Sequence, residues 1–228
     1  MPIPGIIRAP LFAGAAQAAE TLRRLPAYRQ AQTMAITAEP VLLQVRINAL
    51  MDGKILLAAT PGLKDGLVRL TGRHVPMSRR HLDLRGQALF KVGKPLPLPQ
   101  TRLGRVDLLV STALAVDQKG MTLGDGRGVL DIFSALLTEL QALPPAAPVI
   151  ILAHEAQLLE KLPAEAWDTQ ANLIITPKTR MTFPSSPRPG LCPGWLAQAQ
   201  RRLPLIKAWL GATGAQTAAA KPELNGVT

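Results

Sequence analysis

Short apolar runs alternate with stretches of helical spacing along most of the chain. Gly14 to Leu25 is dense in Ala, Leu and Glu, carries Arg23 and Arg24 where they complement a helix dipole, and meets Pro26, so it predicts a helix. Thr33 to Thr37 predicts a short strand, Val41 to Leu50 an amphipathic helix closed by Asp52-Gly53, and Ile55 to Thr60 a buried strand stopped by Pro61. The order is strand, helix, strand.

The alternation returns after Arg105. Val106 to Val110 predicts a strand, Gly128 to Leu143 a helix, Val149 to Ala153 an apolar strand, His154 to Leu162 a helix and Leu173 to Ile175 another strand. Apolar strands separated by helices need cover on both faces. The pattern therefore predicts a three-layer α/β/α fold with a mainly parallel sheet, Rossmann-like in type. Trp195 to Leu210 predicts a last helix despite Pro204. Residues 1–210 are expected to form one domain, and 211–228, rich in Ala, Gly and Thr, a disordered tail.

Between the two halves, Lys64 to Arg105 carries ten Lys and Arg residues opposed only by Asp65 and Asp83, and reads as a basic, irregular insertion. The whole chain of 228 residues has a formal charge of +11, which suits phosphate-bearing partners without selecting among a nucleotide, a polyglutamylated small molecule and a nucleic acid. A hydrophobic content of 47% is enough for one sizeable core. No apolar run approaches the roughly 18 residues of a membrane span, and the opening residues lack the pattern of a secretory leader, so the expected location is cytoplasmic. Cys192 is the only cysteine and reads as a packing or surface thiol. His74 and His81 stand among arginines without the three or four ligands of a closed metal site.

The chemistry concentrates after the strand at Val106. There Leu123-Gly-Asp-Gly-Arg-Gly128 opens a helix, an order that can offer backbone N–H groups and a helix N-terminus to a phosphate. Gly124, Gly126 and Gly128 permit close approach of the backbone, Arg127 can add a bidentate contact, and Asp131, one turn in, can hold Mg²⁺. The same residues also suit a tight strand-to-helix connection with Asp125 as helix cap and Arg127 solvated.

Val106 to Leu137 resembles the signature of the 5-formyltetrahydrofolate cyclo-ligases, an apolar strand followed by "AFD..G.RLGYGGGYYDR". The matching residues are Ala115, Asp117, Gly120, the three alternating glycines and Asp131, and Ala115-Val116 stands where the enzymes have Ala-Phe. His154, Gln157, Pro163, Asp168 and Thr176-Pro177 resemble the family's "H..Q…P…HD…TP" stretch in order. Phe12 to Ala19, Val45 to Leu50, Gly53-Lys54 and Arg188 to Trp195 are similar to the branch typified by the methenyltetrahydrofolate synthase domain-containing proteins. The resemblance implies a cyclo-ligase-like fold, ATP and Mg²⁺ as cofactors, a small-molecule partner of folate type, and a connection with one-carbon or thiamin metabolism. It further implies that Glu39, fifteen residues before Lys54, occupies an acidic substrate-pocket position; the residue also suits a helix's first turn.

Four departures from the signature bear on the chemistry. Thr122 stands where the family has Arg, Val129 and Leu130 replace its two tyrosines, and Ile132 replaces the Arg after Asp131. Since ATP-driven ring closure needs charge neutralisation on the transferred phosphoryl group, a retained phosphate loop with a degenerate active site is the leading expectation. An active cyclo-ligase forming 5,10-methenyltetrahydrofolate is the second. A third is an RNA- or polyanion-binding module using the basic 64–105 segment, although an aromatic content of 4% leaves little for base stacking. His154 reads either as a catalytic base or as a helix cap.

Overall fold

The computed structural model describes residues 10–76, 78, 84–85, 88–98 and 101–213. Eight strands form the main sheet. β1 (Thr33–Ile36), β2 (Ile55–Ala59), β5 (Leu108–Thr112), β8 (Val149–Leu152) and β10 (Leu173–Ile175) pair in parallel, while β3 (Leu67–Leu70), β4 (Lys94–Leu96) and β11 (Arg180–Thr182) add antiparallel edges. The order across the sheet is β11-β10-β8-β5-β1-β2-β3-β4. A second, small sheet joins β6 (Ala115–Asp117), β7 (Thr122–Leu123) and β9 (Leu158–Leu159).

Period-two alternation divides the parallel strands between two cores. Met34, Ile36, Leu56, Ala58, Leu108 and Val110 face one side, where they meet Ala18, Ala19 and Leu22 of α1 (Ala15–Arg24) and Val45 of α3 (Leu43–Met51). A short helix, α2 (Pro26–Gln30), follows α1 and buries Tyr28 against the same side. Ala35, Leu57, Leu109, Val149 and Ile151 face the other side, which is covered from the C-terminal half of the chain. The cover there is α5 (Val129–Glu139), through Phe133, Leu136 and Leu137, and α7 (Pro204–Thr213), through Ile206 and Trp209. This is the expected three-layer α/β/α arrangement with a mainly parallel sheet.

Several expectations change. The basic segment is not irregular: α4 (Ala88–Val92) lies between β3 and β4, which extend the sheet, and Lys94 and Pro95 suit an edge strand because they discourage further pairing. The strand expected at Val106 begins at Leu108, because the Val106 N–H is taken by Ala142 O and Asp107 turns its carboxylate to the Gln32 and Thr33 N–H groups. α5 stops at Glu139, where Gln141 adopts φ 53° and the Ala142 and Leu143 N–H groups turn back to Leu137 O. His154 to Leu162 is not a helix; a single 3₁₀ turn, Glu155–Gln157, leads into β9. The last helix is interrupted. α6 (Gln198–Arg201) ends before Pro204, which lacks an N–H and instead starts α7. α7 continues to Thr213, and residues 214–228 of the expected tail lie outside the described residues. Among the described residues no helix is long and apolar enough to cross a membrane.

Candidate functional site

β1 leads to β2 on one side of the sheet and β5 lies on the other, so the strand order reverses between β1 and β5. In open α/β sheets that reversal leaves a crevice beyond the carboxyl ends of the strands. A cavity of about 420 Å³ occupies this place. Ala38 and Glu39 line it from the end of β1, and Ser111, Thr112 and Ala113 from β5. Gly124, Asp125 and Arg127 of the glycine turn, with Val129 and Leu130 at the start of α5, form the opposite wall. The floor is fixed by polar contacts between strands. Thr37 Oγ1 and Ser111 Oγ lie 2.9 Å apart, and Thr112 Oγ1 donates to Leu152 O at 2.7 Å.

Glu39 follows β1 in an extended conformation, just before a 3₁₀ turn at Pro40–Leu42. Its Oε2 is buried with no hydrogen-bond partner among the described residues. Burial pushes its carboxyl above the usual carboxylate range, in spite of the Thr37 hydroxyl and the attraction of Arg46. Arg46 is fully buried within α3. It donates from Nη1 to Thr37 O (3.1 Å) and Glu39 O (3.2 Å), and from Nε to Leu84 O (3.1 Å). Burial lowers its guanidinium to about 10. Arg46 thus fixes the backbone that carries Glu39, and the two charges sit near one another without a direct ion pair among the described residues.

The glycine turn is held at both ends. Asp117, buried in β6, accepts from the Lys119 N–H (2.8 Å) and the Met121 N–H (2.9 Å) through Oδ1 and from the Leu162 N–H (3.1 Å) through Oδ2. Further along, Asp125 Oδ1 accepts from the Arg127 N–H at 3.1 Å, and Asp125 Oδ2 lies 3.5 Å from Arg127 Nε. Asp125 is therefore a turn residue and not the cap expected of it; the N-cap of α5 is Gly128, at φ 63°. That left-handed backbone favours glycine, and a Cβ there would sit 2.9 Å from Gln200 Nε2, so the Gln200 side chain would have to move. Gln200 Nε2 donates to Arg127 O at 3.0 Å, joining the C-terminal segment to the turn. Around Gly124 and Gly126 a Cβ would meet nothing within 4 Å, leaving space against the backbone.

Of the residues expected at a site, Glu39, Gly124 and Arg127 line one cavity. Gly126 belongs to the same turn without lining it. Gly128 and Asp131 border a separate cavity of about 70 Å³ with Trp167, Cys192, Trp195 and Gln200. Asp131 Oδ1 accepts from the Thr169 N–H at 2.8 Å, and burial raises its carboxyl. Among the described residues no group of three or more His, Cys, Asp and Glu could hold a metal ion. His154 serves as a cap: its Nδ1 accepts from the Ala156 N–H (3.1 Å), while Gln157 accepts from the His154 N–H (2.7 Å). Cys192 is exposed and unpaired. Arg46 and Gln200 escape sequence reasoning; the trace of Arg46 is a cation flanked by Val45 and Ile47, whereas Gln200 sits in a polar stretch with no signal.

The departures from the cyclo-ligase signature fall on distinct places. Val129 and Leu130 line the cavity where the family places tyrosines, Ile132 is in the core, and Thr122 lies in β7 away from the cavity lining.

The fold is of the doubly wound α/β class, with a cavity at its switch point walled by a glycine turn and the start of a helix. Within that class the model of the 5-formyltetrahydrofolate cyclo-ligase family matches residues 6–177, and the chain belongs to this family. It is 32% identical over 194 residues to the mouse (Mus musculus) methenyltetrahydrofolate synthase domain-containing protein, covering 82% of this chain and 51% of that one. It is 35% identical over 75 residues to the 5-formyltetrahydrofolate cyclo-ligase of Escherichia coli strain K12, covering 33% of this chain and 38% of that one. The chain thus spans about half the length of the vertebrate relatives it matches. The fold is similar to that of a 5,10-methenyltetrahydrofolate synthetase from Aquifex aeolicus, with a TM-score of 0.50, 18% identity, and coverage of 80% of this chain and 88% of that one.

Proposed function

We propose that the protein binds a phosphate-bearing nucleotide in the switch-point cavity, with ATP as the expected ligand, and that its turnover as a 5-formyltetrahydrofolate cyclo-ligase is weak or absent. One observation carries this reading: a single cavity is lined by Arg127 with aliphatic Val129 and Leu130 at the start of α5 on one wall, and by Glu39, whose Oε2 has no hydrogen-bond partner among the described residues, on the other. The guanidinium and the open N-terminus of α5 suit an anion. The Glu39 oxygen suits a ligand N–H, as a folate-type ring presents. The aliphatic pair supplies shape and no charge, so neutralisation of a transferred phosphoryl group would rest on Arg127 alone, itself paired with Asp125.

A magnesium ion, which the family implies, would have to be held here by one or two carboxylates together with the ligand's phosphates. The cavity's carboxylates are Glu39 and Asp125, the latter committed to the glycine turn, and Asp131 lies against Thr169 in the neighbouring cavity. The expected result is that Asp131→Asn leaves ATP affinity unchanged with and without Mg²⁺.

Calorimetric titration of ATP tests the pocket. Wild type should bind, and Arg127→Ala should lose roughly 1.5–3 kcal/mol, the range for a hydrogen bond to a charged group. Absence of ATP binding to wild type would overturn the assignment, and equal binding by Arg127→Ala would move the pocket elsewhere. Conversion of 5-formyltetrahydrofolate by ATP and Mg²⁺ at ordinary enzyme rates would show an active cyclo-ligase instead.

A further inference from the structure

The register of the sheet gathers cations at the end opposite the cavity. Ile55 pairs with Thr33, and Asp107 follows the same level, so Lys54, Gln32 and Asp107 mark the amino ends of β2, β1 and β5. β3 runs the other way and brings Arg69 and Leu70 to this end, where Lys94, the first residue of β4, pairs with Arg69. Arg69 Nη2 reaches Leu103 O, which places Arg102 beside it. The last turn of α1 joins the same end through Arg23, whose Nε donates to Asp52 Oδ2 at 2.8 Å, and a cleft there is lined by Arg23, Arg24, Arg29 and Lys54.

The carboxylates present are already engaged. Glu20 accepts from Asn48 Nδ2 (2.7 Å), Asp52 from Arg23 and from the Tyr28 hydroxyl (2.9 Å), and Asp107 from two backbone N–H groups and Arg105. Arg24, Arg29, Lys94 and Arg102 are exposed and have no carboxylate partner among the described residues. From β5 to β4 is four strand steps, roughly 19 Å at the usual spacing.

We propose that this end of the sheet is a binding surface for the phosphodiester backbone of nucleic acid. A protein interface would need an apolar or aromatic anchor. Here Tyr28 is buried beneath Lys54 Nζ, 4.6 Å from its ring centroid, and the exposed large apolar side chains lie elsewhere apart from Met51. Among the described residues no exposed Phe, Tyr or Trp stands at this end for base stacking, so recognition is electrostatic and indifferent to sequence. This differs from a basic 64–105 loop acting alone, because half of the free cations come from α1 and α2.

The test is fluorescence anisotropy with a labelled oligouridylate in a salt series. Three to four phosphate contacts imply a slope of log K against log salt of about −2 to −3 for a single strand, and Arg24→Gln with Arg29→Gln should make it shallower by about 1.4. Both residues are exposed, so circular dichroism should confirm an unchanged fold. Arg180→Gln, exposed on the far edge strand β11, should leave the slope intact. Absence of binding by wild type at low salt, an unchanged slope in the double variant, or displacement of the oligonucleotide by anionic phosphatidylserine vesicles at equal charge would overturn the proposal.

Discussion

Replacing Glu39 by Gln should make the protein more stable while weakening ligand binding in the cavity. The carboxylate has one oxygen buried and unpartnered, and its raised pKa already includes the favourable Thr37 and Arg46 contributions, so burial wins the balance. The sign follows from proton linkage. A carboxyl whose folded pKa lies above its unfolded value of about 4.3 binds more protons in the folded state, so its contribution to stability is fully present below that value and is lost as pH rises through the folded pKa. At about pH 7.5, above the unfolded value, wild type must either keep an ill-solvated charge or hold a proton against the solution, and Gln removes that cost. An unsatisfied buried polar group costs about 1–3 kcal/mol, which for a chain of this length is roughly 2–12 °C in Tm. Thermal melts followed by circular dichroism from about pH 4 to pH 8 should show Glu39→Gln above wild type at the upper end and the two converging toward pH 4. A variant less stable than wild type at pH 7.5, or a gain independent of pH, would refute the argument.

Arg46→Met should cost about 3–5 kcal/mol in urea unfolding, because it strips three carbonyl oxygens of their buried donor and removes the cation nearest Glu39; a loss below about 1 kcal/mol would show that the packing, and not the guanidinium, matters. Gln200→Ala removes the hydrogen bond to Arg127 O and should weaken ATP binding about two- to ten-fold by calorimetry, with no further loss when added to Arg127→Ala. Additive losses would place Gln200 outside the anion site.

The parallel core was legible because its strands are apolar on both faces and closed by Pro or Gly: Ile55 to Thr60 before Pro61 is found within one residue of β2. What misled was polarity. Lys64 to Arg105 reads as loop from its charge, yet Leu67, Val68 and Leu70 form β3, which pairs with β2 and β4 and buries those three residues while Arg69 between them stays part-exposed. His154 to Leu162 has helical residue types, but the Gln157 side chain reaches Ala113 O (2.6 Å) and Leu114 O (3.2 Å), contacts that draw the chain into β9. The glycine turn and Glu39 were visible as motif residues. Their convergence was not, because it depends on which strands neighbour each other at the switch point, and no local pattern records that.

The placement of charge also decides whether the two ends of the sheet can influence one another. β2 has five residues, so the cavity and the cationic end are separated by roughly 16 Å of strand. That is about two Debye lengths at physiological ionic strength, so direct Coulomb coupling through solvent is nearly extinguished. At the cavity, by contrast, Glu39 Oε2 and the neighbouring Arg46 are buried and poorly screened. A coupling between ligand and polyanion would therefore have to pass through the protein, and α3 is the element that connects them: it carries Arg46 at the cavity and, through Asn48 and its C-terminal neighbour Asp52, holds Glu20 and Arg23 at the other end. Its body is packed between α1 and the sheet, with Val45, Ile47 and Leu50 buried. With α3 packed in a single arrangement and no alternative state to carry a coupling, binding of the two proposed ligands is expected to be independent at physiological salt.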